Sequence, residues 1–255
     1  MSTIDVNVDA GESYGRWTLG DDEALFALGL VTSVNVACGY HAGDPATMRR
    51  TVRAARQRGV AIGAHPSYPD LMGFGRRQLA ASPEEIGDLV TYQLGALAGF
   101  CAAEQTVVQH VKPHGALYAH AAHVNAAGDA LARAAQAIDD RLVIIAPAGP
   151  IAEELHARTG ATVAHEAYVD LDLGDDGVVI VEARPRQRDP QEIAERALQA
   201  ARGILTTVSG QVINTRVDTI CIHGDAPNVV ANVEAIRDRF AQEGIEPRPL
   251  ADVLA

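Results

Sequence analysis

Aromatic side chains are scarce, with one Trp, four Phe and six Tyr in 255 residues, so a core has to be built mainly from Val, Ile, Leu and Ala. Cysteine is scarcer still. Cys38, Cys101 and Cys221 stand far apart and form no C-x-x-C pair, which argues against a thiolate zinc site or a disulfide framework. Basic residues are outnumbered, 21 Lys and Arg against 33 Asp and Glu, and the net charge of −12 would repel nucleic acid or an anionic membrane. No apolar run reaches the roughly 18 residues expected of a membrane span. The stretch M-S-T-I-D-V-N-V-D-A has no basic region ahead of an apolar one, so no signal peptide is expected and a cytoplasmic location is. Linker-like tracts, low-complexity segments and sequence repeats are missing too, and residues 1–255 read as one domain.

What the chain does have is alternation. In residues 4–9, Ile4, Val6 and Val8 alternate with Asp5, Asn7 and Asp9, the period of a half-buried strand. Strands are likewise expected over 33–38, 60–64, the run opening at 107, 142–146, 162–166 and 218–222, with residues 245–250 as an irregular eighth. Helices fall between them. Asp44 and Pro45 start one that runs to Arg58, and Ser82, Pro83 and Glu85 start another with a capping box. Further helices are expected near 126–138 and 189–205, and residues 178–181 as one arm of a hairpin. The five arginines between Arg49 and Arg58 read as a solvated helix face. Strands alternating with helices make an α/β fold with a parallel sheet.

Parallel strands followed by helices deliver all their C-terminal ends to one side, and in a barrel those ends ring one mouth. The ends here carry Asp9, His41, His65, Lys112 with His114, Glu166, and His223 with Asp225. The segment V-V-Q-H-V-K-P-H-G-A-L-Y (107–118) anchors the set. Parity places Asp5, Asn7, Asp9, Ala61, Gly63, His65, Thr219, Cys221 and His223 inward, a lumen of small and polar groups. Asp5 and His110 read as hydrogen-bonded structural residues. Asp9, His65, Lys112, His114 and His223 read as functional. Asp and His at separate strand ends can also bind a divalent metal, but no short-range His spacing marks a ligand set.

Two motifs mislead. Gly11-Glu12-Ser13-Tyr14-Gly15 matches a nucleophile elbow but runs into a loop instead of a helix, so Ser13 is not expected to be a nucleophile. Gly73-Phe74-Gly75 lacks the third glycine of a dinucleotide fingerprint, and no G-x-x-x-x-G-K-[ST] phosphate loop occurs.

The segments D-V-N-V-D-A-G-E-S-Y-G, N-V-A-C-G-Y-H-A-G-D-P, G-A-H-P-S-Y-P-D-L-M-G-F-G-R-R, V-K-P-H-G-A-L-Y and I-C-I-H-G-D-A-P together resemble the LamB/YcsF lactam-utilisation family. The resemblance implies a single-domain (β/α) barrel, seven-stranded and deacetylase-like. It implies ATP-dependent opening of 5-oxoproline to L-glutamate in a 5-oxoprolinase complex with two partner subunits. The motif positions carried over are Asp9, Glu12, His41, Asp44, His65, Lys112, His114, His223 and Asp225, with Glu12, His41, Asp44 and Asp225 as substrate-binding groups. After Glu166 the chain departs from the family pattern, with Leu171, Leu173 and Glu182 at Arg, Tyr and Arg places, which opens the alternative of another lactam or amide.

Such a reaction needs a base for water, an acid for the ring nitrogen and cations for developing charge. Asp9 is expected as base or as orienter of a histidine. His65, His114 and His223 are expected as acid/base groups, and Lys112 as partner of a substrate carboxylate or phosphoryl group. Two other function classes would use the same mouth: a standalone metal-dependent amidohydrolase or deacetylase, and a non-catalytic binding subunit.

Overall fold

The computed structural model describes residues 2–180, 182, 186–224 and 226–255. In chain order the elements begin with β1 (Ser2–Ala10), α1 (Asp22–Ala27), β2 (Ser33–Ala37), α2 (Pro45–Arg58), β3 (Ala61–His65), α3 (Pro83–Ala103) and β4 (His110–Val111). They continue with α4 (Gly115–His123), α5 (Asn125–Ile138), β5 (Val143–Pro147), α6 (Pro150–Thr159), β6 (Val163–Tyr168), β7 (Asp172–Leu173) and β8 (Val179–Ile180). The remainder is α7 (Pro190–Ala201), β9 (Ile204–Thr206), β10 (Val212–Asn214), β11 (Thr219–Ile222), α8 (Val229–Glu243), β12 (Ile245–Pro247) and α9 (Leu250–Val253).

Strands β1 to β6 pair in order, β6 pairs with β11, and β11 pairs with β1, every neighbour parallel. The result is a closed seven-stranded (β/α) barrel, as the family resemblance implies, built on the parallel sheet that the alternation of strands and helices implies. Residues 245–250 do not join it. Only Ile245–Pro247 are extended, and β12 adds outside the closure against Ser2–Ile4.

Parity holds where it can be checked. Ile4, Val6, Val8, Ile62, Ile220 and Ile222 are fully buried in the main apolar cluster with Leu and Ile from the helices. The alternate residues meet one another inside. Asp5 accepts from the hydroxyls of Thr32, Ser33 and Thr219, and its burial lifts its carboxyl to about 6. His110 Nε2 meets Asn35 Oδ1 at 2.9 Å, and burial pushes its ring down to about 3, so it is a neutral core histidine as expected. A Cβ on Gly63 would fall 2.1 Å from that ring, so the glycine is the space in which His110 lies.

Helix α2 begins on Asp44 and ends on Gly59 in the left-handed region, and α3 begins on the Ser82–Glu85 capping box. Helix α3 is 21 residues long with an 18-residue window of mean hydropathy 1.2, the length and composition of a membrane span, but it docks Ile86, Val90, Leu94 and Leu97 into the barrel's outer layer.

Two local expectations are corrected and one element is added. The helix expected over 189–205 stops at Ala201, because Arg202-Gly203 turns the chain into a small hairpin, β9 with β10. The run opening at 107 is strand only over His110–Val111, and Val107 is exposed. Gly115–His123, to which the sequence reading assigns no element, is a helix. The arm expected over 178–181 is found as β8 against β7; Val181 itself lies outside the described residues.

Candidate active site

The floor of the mouth is a buried ion cluster centred on Lys112. Its ammonium lies 3.0 Å from Asp9 Oδ1, 3.0 Å from Glu166 Oε1, 3.3 Å from Asn7 Oδ1 and 2.8 Å from Cys221 Sγ. Burial weighs against its charge, but Asp9 foremost, with Cys221 and Glu166, more than offsets it and holds the Lys112 pKa well above the usual range. Burial likewise disfavours ionised Asp9, yet His65 and Lys112 outweigh it and keep that carboxyl well below the usual range. Asn35 donates to Asp9 at 2.8 Å, and the Tyr118 hydroxyl donates to Glu166 at 2.8 Å.

Two histidine systems flank the floor. On one side His223 Nδ1 meets Asp170 Oδ1 at 3.0 Å, while the His223 backbone N–H donates to Asp170 Oδ2 at 2.7 Å. Burial disfavours the imidazolium, but Asp170 overrides it, so the His223 pKa is raised and that of Asp170 lowered. The Tyr168 ring stacks on His223 at 5.5 Å, and His223 Nε2 stands 3.9 Å from Asp9 Oδ2.

On the other side lie His41, His65 and His114. The His41 and His114 rings are parallel with centroids 3.8 Å apart, and His65 meets both edge-on. Burial pushes His41 and His114 well below the ordinary imidazole range, so both are neutral. Glu12 Oε1 stands 3.4 Å from His41 Nε2 and 3.9 Å from His114 Nδ1. Gly75, at φ +64, passes so close that a Cβ would lie 2.8 Å from the His114 ring and 2.9 Å from His41 Cβ. Only a residue without Cβ lets this loop close over the stacked pair.

Of the nine residues singled out from sequence, the structure brings together Asp9, Glu12, His41, His65, Lys112, His114 and His223. Asp44 stands apart from them. Its carboxylate accepts from the Thr47 hydroxyl at 2.7 Å and from the Gly15 N–H, which together with the Ala46 and Thr47 N–H groups that it caps at the start of α2 pull it down to about 2. Asp225 lies outside the described residues. Ser13 is a loop brace, its hydroxyl accepting from the Leu19 N–H at 3.0 Å.

Sequence reasoning set Glu166 at the mouth and Cys221 inward without giving either a part in the site, and it passed over Asn35, Tyr118, Tyr168 and Asp170. Glu166, Asn35, Cys221 and Tyr168 carried a usable signal, inward parity on a barrel strand, the same signal that picked out Asp9. Tyr118 and Asp170 had no such periodicity, because their places depend on how α4 and the segment after β6 fold back. Above the floor opens a cavity of about 680 Å³ including its mouth, lined on its outer side by Arg76, Arg186 and Arg188. Arg186 and Arg188 pair with Asp172 and Glu182, while Arg188 Nε is buried without a hydrogen-bond partner among the described residues.

Comparison with known proteins bears on this constellation as a whole. The chain is 47% identical over 246 residues to a protein of Methylococcus capsulatus named as a 5-oxoprolinase subunit, covering 95% of this chain and 94% of that one. It is 43% identical over 254 residues to the protein of the same name from Pyrococcus furiosus, covering 98% and 99%. The crystal structure of a lactam utilization protein from Thermus thermophilus superposes with a TM-score of 0.87 at 41% identity, covering 96% of this chain and 99% of that one. The catalytic domain of a peptidoglycan N-acetylglucosamine deacetylase from Eubacterium rectale superposes with a TM-score of 0.51 at 13% identity, covering 97% and 88%, a likeness of fold. The LamB/YcsF family model matches residues 4–255, and this chain belongs to the LamB/YcsF family.

Proposed function

We propose that this chain opens the lactam ring of 5-oxoproline to give L-glutamate, with ATP supplied to the reaction in a complex with two partner subunits. One observation carries the reading. His223, whose proton Asp170 holds, and the wall formed by His65 and His114 line one cavity, over a floor of compensated charge. The near-full-length relatives named for 5-oxoprolinase support the choice of substrate.

A five-membered lactam is a stable amide, and a substrate carboxylate repels hydroxide. Phosphorylation of the amide oxygen would make the carbon electrophilic, so that water adds there, the ring nitrogen leaves as the C–N bond breaks, and a second water releases phosphate from the resulting acyl phosphate to give glutamate. This chain then has to move protons. His223, kept protonated by Asp170, is suited to give its Nε2 proton to the ring nitrogen as the C–N bond breaks. Asp9 is too weak a base to keep a proton of water, since its pKa is held low, so it acts as an orienter, with Oδ2 3.4 Å from His65 Nε2 and 3.9 Å from His223 Nε2. The wall of His41, His65, His114 and Glu12 is the side from which water is activated.

Lys112 takes a different part from the one its charge alone suggests. It is 1% exposed and already meets two carboxylates, so it fixes the floor, and a substrate carboxylate is left to the guanidinium groups lining the cavity, among them Arg188, whose Nε has no hydrogen-bond partner among the described residues although Asp172 and Glu182 hold its other nitrogens. Guanidinium groups thus reach this cavity from residues 186–188, although Leu171 and Glu182 stand where the family pattern has Arg.

The test is co-expression with candidate partner subunits and assay of ATP hydrolysis and glutamate release against a panel of lactams. ATP hydrolysis dependent on 5-oxoproline is expected, and it should be lost in a His223→Gln variant. Turnover of another lactam with silence on 5-oxoproline would replace the substrate. Lactam opening by the purified chain without ATP would replace the coupling.

A further inference from the structure

The wall of His41, His65 and His114 contains a conflict that a proton inventory exposes. His65 Nδ1 lies 2.8 Å from the Lys112 carbonyl oxygen, and His114 Nε2 lies 2.8 Å from the Phe74 carbonyl oxygen. A carbonyl only accepts, so each of those nitrogens carries the ring hydrogen. In neutral rings the other two nitrogens, His65 Nε2 and His114 Nδ1, are then both lone pairs facing each other at 2.9 Å, so the gap takes one positive centre, either a proton on His65 or a cation. Two buried acceptors do not stay at that distance without a positive centre between or beside them.

Two further groups converge on the same point. His41 is 1% exposed, and neither of its ring nitrogens has a hydrogen-bond partner among the described residues. The Glu12 carboxylate stands beside it, and one ligand atom from each of Glu12, His41, His65 and His114 lies within 4.8 Å of every other. We infer that Glu12, His41, His65 and His114 form a binding site for a divalent transition-metal ion of the zinc or cobalt class. Three imidazoles and one carboxylate are a borderline-soft donor set, which suits such ions better than magnesium or calcium. The two carbonyls that fix the His65 and His114 tautomers play the part that outer hydrogen bonds commonly play around metal-bound histidine.

A second group, Asp9, Cys221 and His223, has comparable spacing. It is the weaker choice. Asp9 and Cys221 already contact the Lys112 ammonium, which repels a second cation, and His223 Nδ1 is taken by Asp170.

The inference deepens the reading of this wall as the water-activating side. A cation held there would polarise a water or the lactam oxygen opposite His223. It also turns His65 and His114 from proton carriers into ligands.

The experiment measures binding apart from turnover. The chelator-treated full-length protein is titrated with Zn²⁺ by calorimetry and with Co²⁺ by visible absorption, and metal content is read by mass spectrometry after desalting. One tightly held ion per chain, a Co²⁺ spectrum of low-symmetry coordination and a raised melting temperature are expected. His41→Ala and Glu12→Gln, each checked for folding by circular dichroism, should lose the stoichiometric ion. Overturning results are equally definite. One is absence of binding, with ¹⁵N spectra showing a doubly protonated imidazole at His65, so that a proton occupies the gap. Another is an ion kept by His41→Ala but lost from Asp9→Asn, which would move it to the second group. Full ATP-coupled lactam opening by metal-free protein would remove the metal and leave the proposed function standing. A bound ion with no lactam activity in the complex would do the reverse.

Discussion

His223 and Asp170 show how two side chains fix a protonation state that neither would have alone. The folded-state pKa of His223 is raised, so its charge, and the stabilisation from the pair, is present at lower pH and lost as pH rises through that raised value. Asp170 has the opposite sign, its pKa lowered, and its contribution is lost as pH falls through the lowered value. The pair is therefore intact between the lowered Asp170 value and the raised His223 value. Replacing Asp170 by Asn removes the charge that holds the proton. The His223 titration followed by ¹H–¹⁵N NMR should move to lower pH, and the alkaline limb of lactam-dependent activity should move with it. A titration unchanged in Asp170→Asn would show that burial and Asp9, not Asp170, set the state of this ring. At this scale much of the site could be read from sequence, because Asp9, His65 and His223 end strands whose other face is plainly apolar. Asp170 could not. It follows β6 on an irregular segment, and no periodicity there says which way a side chain faces.

Among the elements, the fit between β3 and β4 is the most demanding. Gly63 on β3 pairs with His110 on β4, and the His110 ring lies where a Gly63 Cβ would be. The ring has no room to retreat, since its Nε2 is tied to Asn35 and the residue is fully buried. Gly63→Ala should cost about 1–3 kcal/mol or more through overpacking, read as a lowered denaturation midpoint. A double variant with His110→Ala should recover part of that loss. An unchanged midpoint in the single variant would mean the ring can turn aside. The strands were legible because β-branched alternation is a strong local signal. Helix α4 was not, because Gly115–His123 is rich in Ala and His with no polar face to give a period, and its start rests on tertiary bonds. His114 N–H donates to Pro66 O at 2.8 Å and Ala116 N–H to Gly75 O at 2.9 Å. The β9–β10 hairpin was missed for a similar reason, since residues 190–205 continue a helix-like pattern until Gly203, at φ +75, turns the chain.

Across the whole molecule, Lys112 is where the barrel is tied together. From β4 its ammonium reaches Asn7 and Asp9 on β1, Glu166 on β6 and Cys221 on β11. Removing it leaves two buried carboxylates without their cation, a change that typically costs about 3–5 kcal/mol. Lys112→Met should therefore lower stability by that order in denaturant melts and abolish ATP-coupled turnover. A variant as stable as the parent would mean that one carboxylate takes up a proton at little cost. Activity retained in full would remove Lys112 from the chemistry altogether. The parallel sheet was foreseeable from the alternation of strands and helices, and its closure as a seven-stranded barrel from the family resemblance. The place of residues 245–247 was not, since a short strand gives no sign of which edge it will join.

That last strand, together with β11, gives the barrel a timetable. The ribosome releases β1 first, yet Asp5 has to wait for the Thr219 hydroxyl, 214 residues later, and Ser2–Ile4 wait longer still for β12. Through most of translation β1 has only β2 beside it, with a polar inner face and an open edge. The buried floor comes into being when the emerging chain delivers β11. The nascent protein thus carries Asp9, His65, Lys112 and His114 long before a closed barrel gathers them, and closure waits for β11, with His223 directly after it.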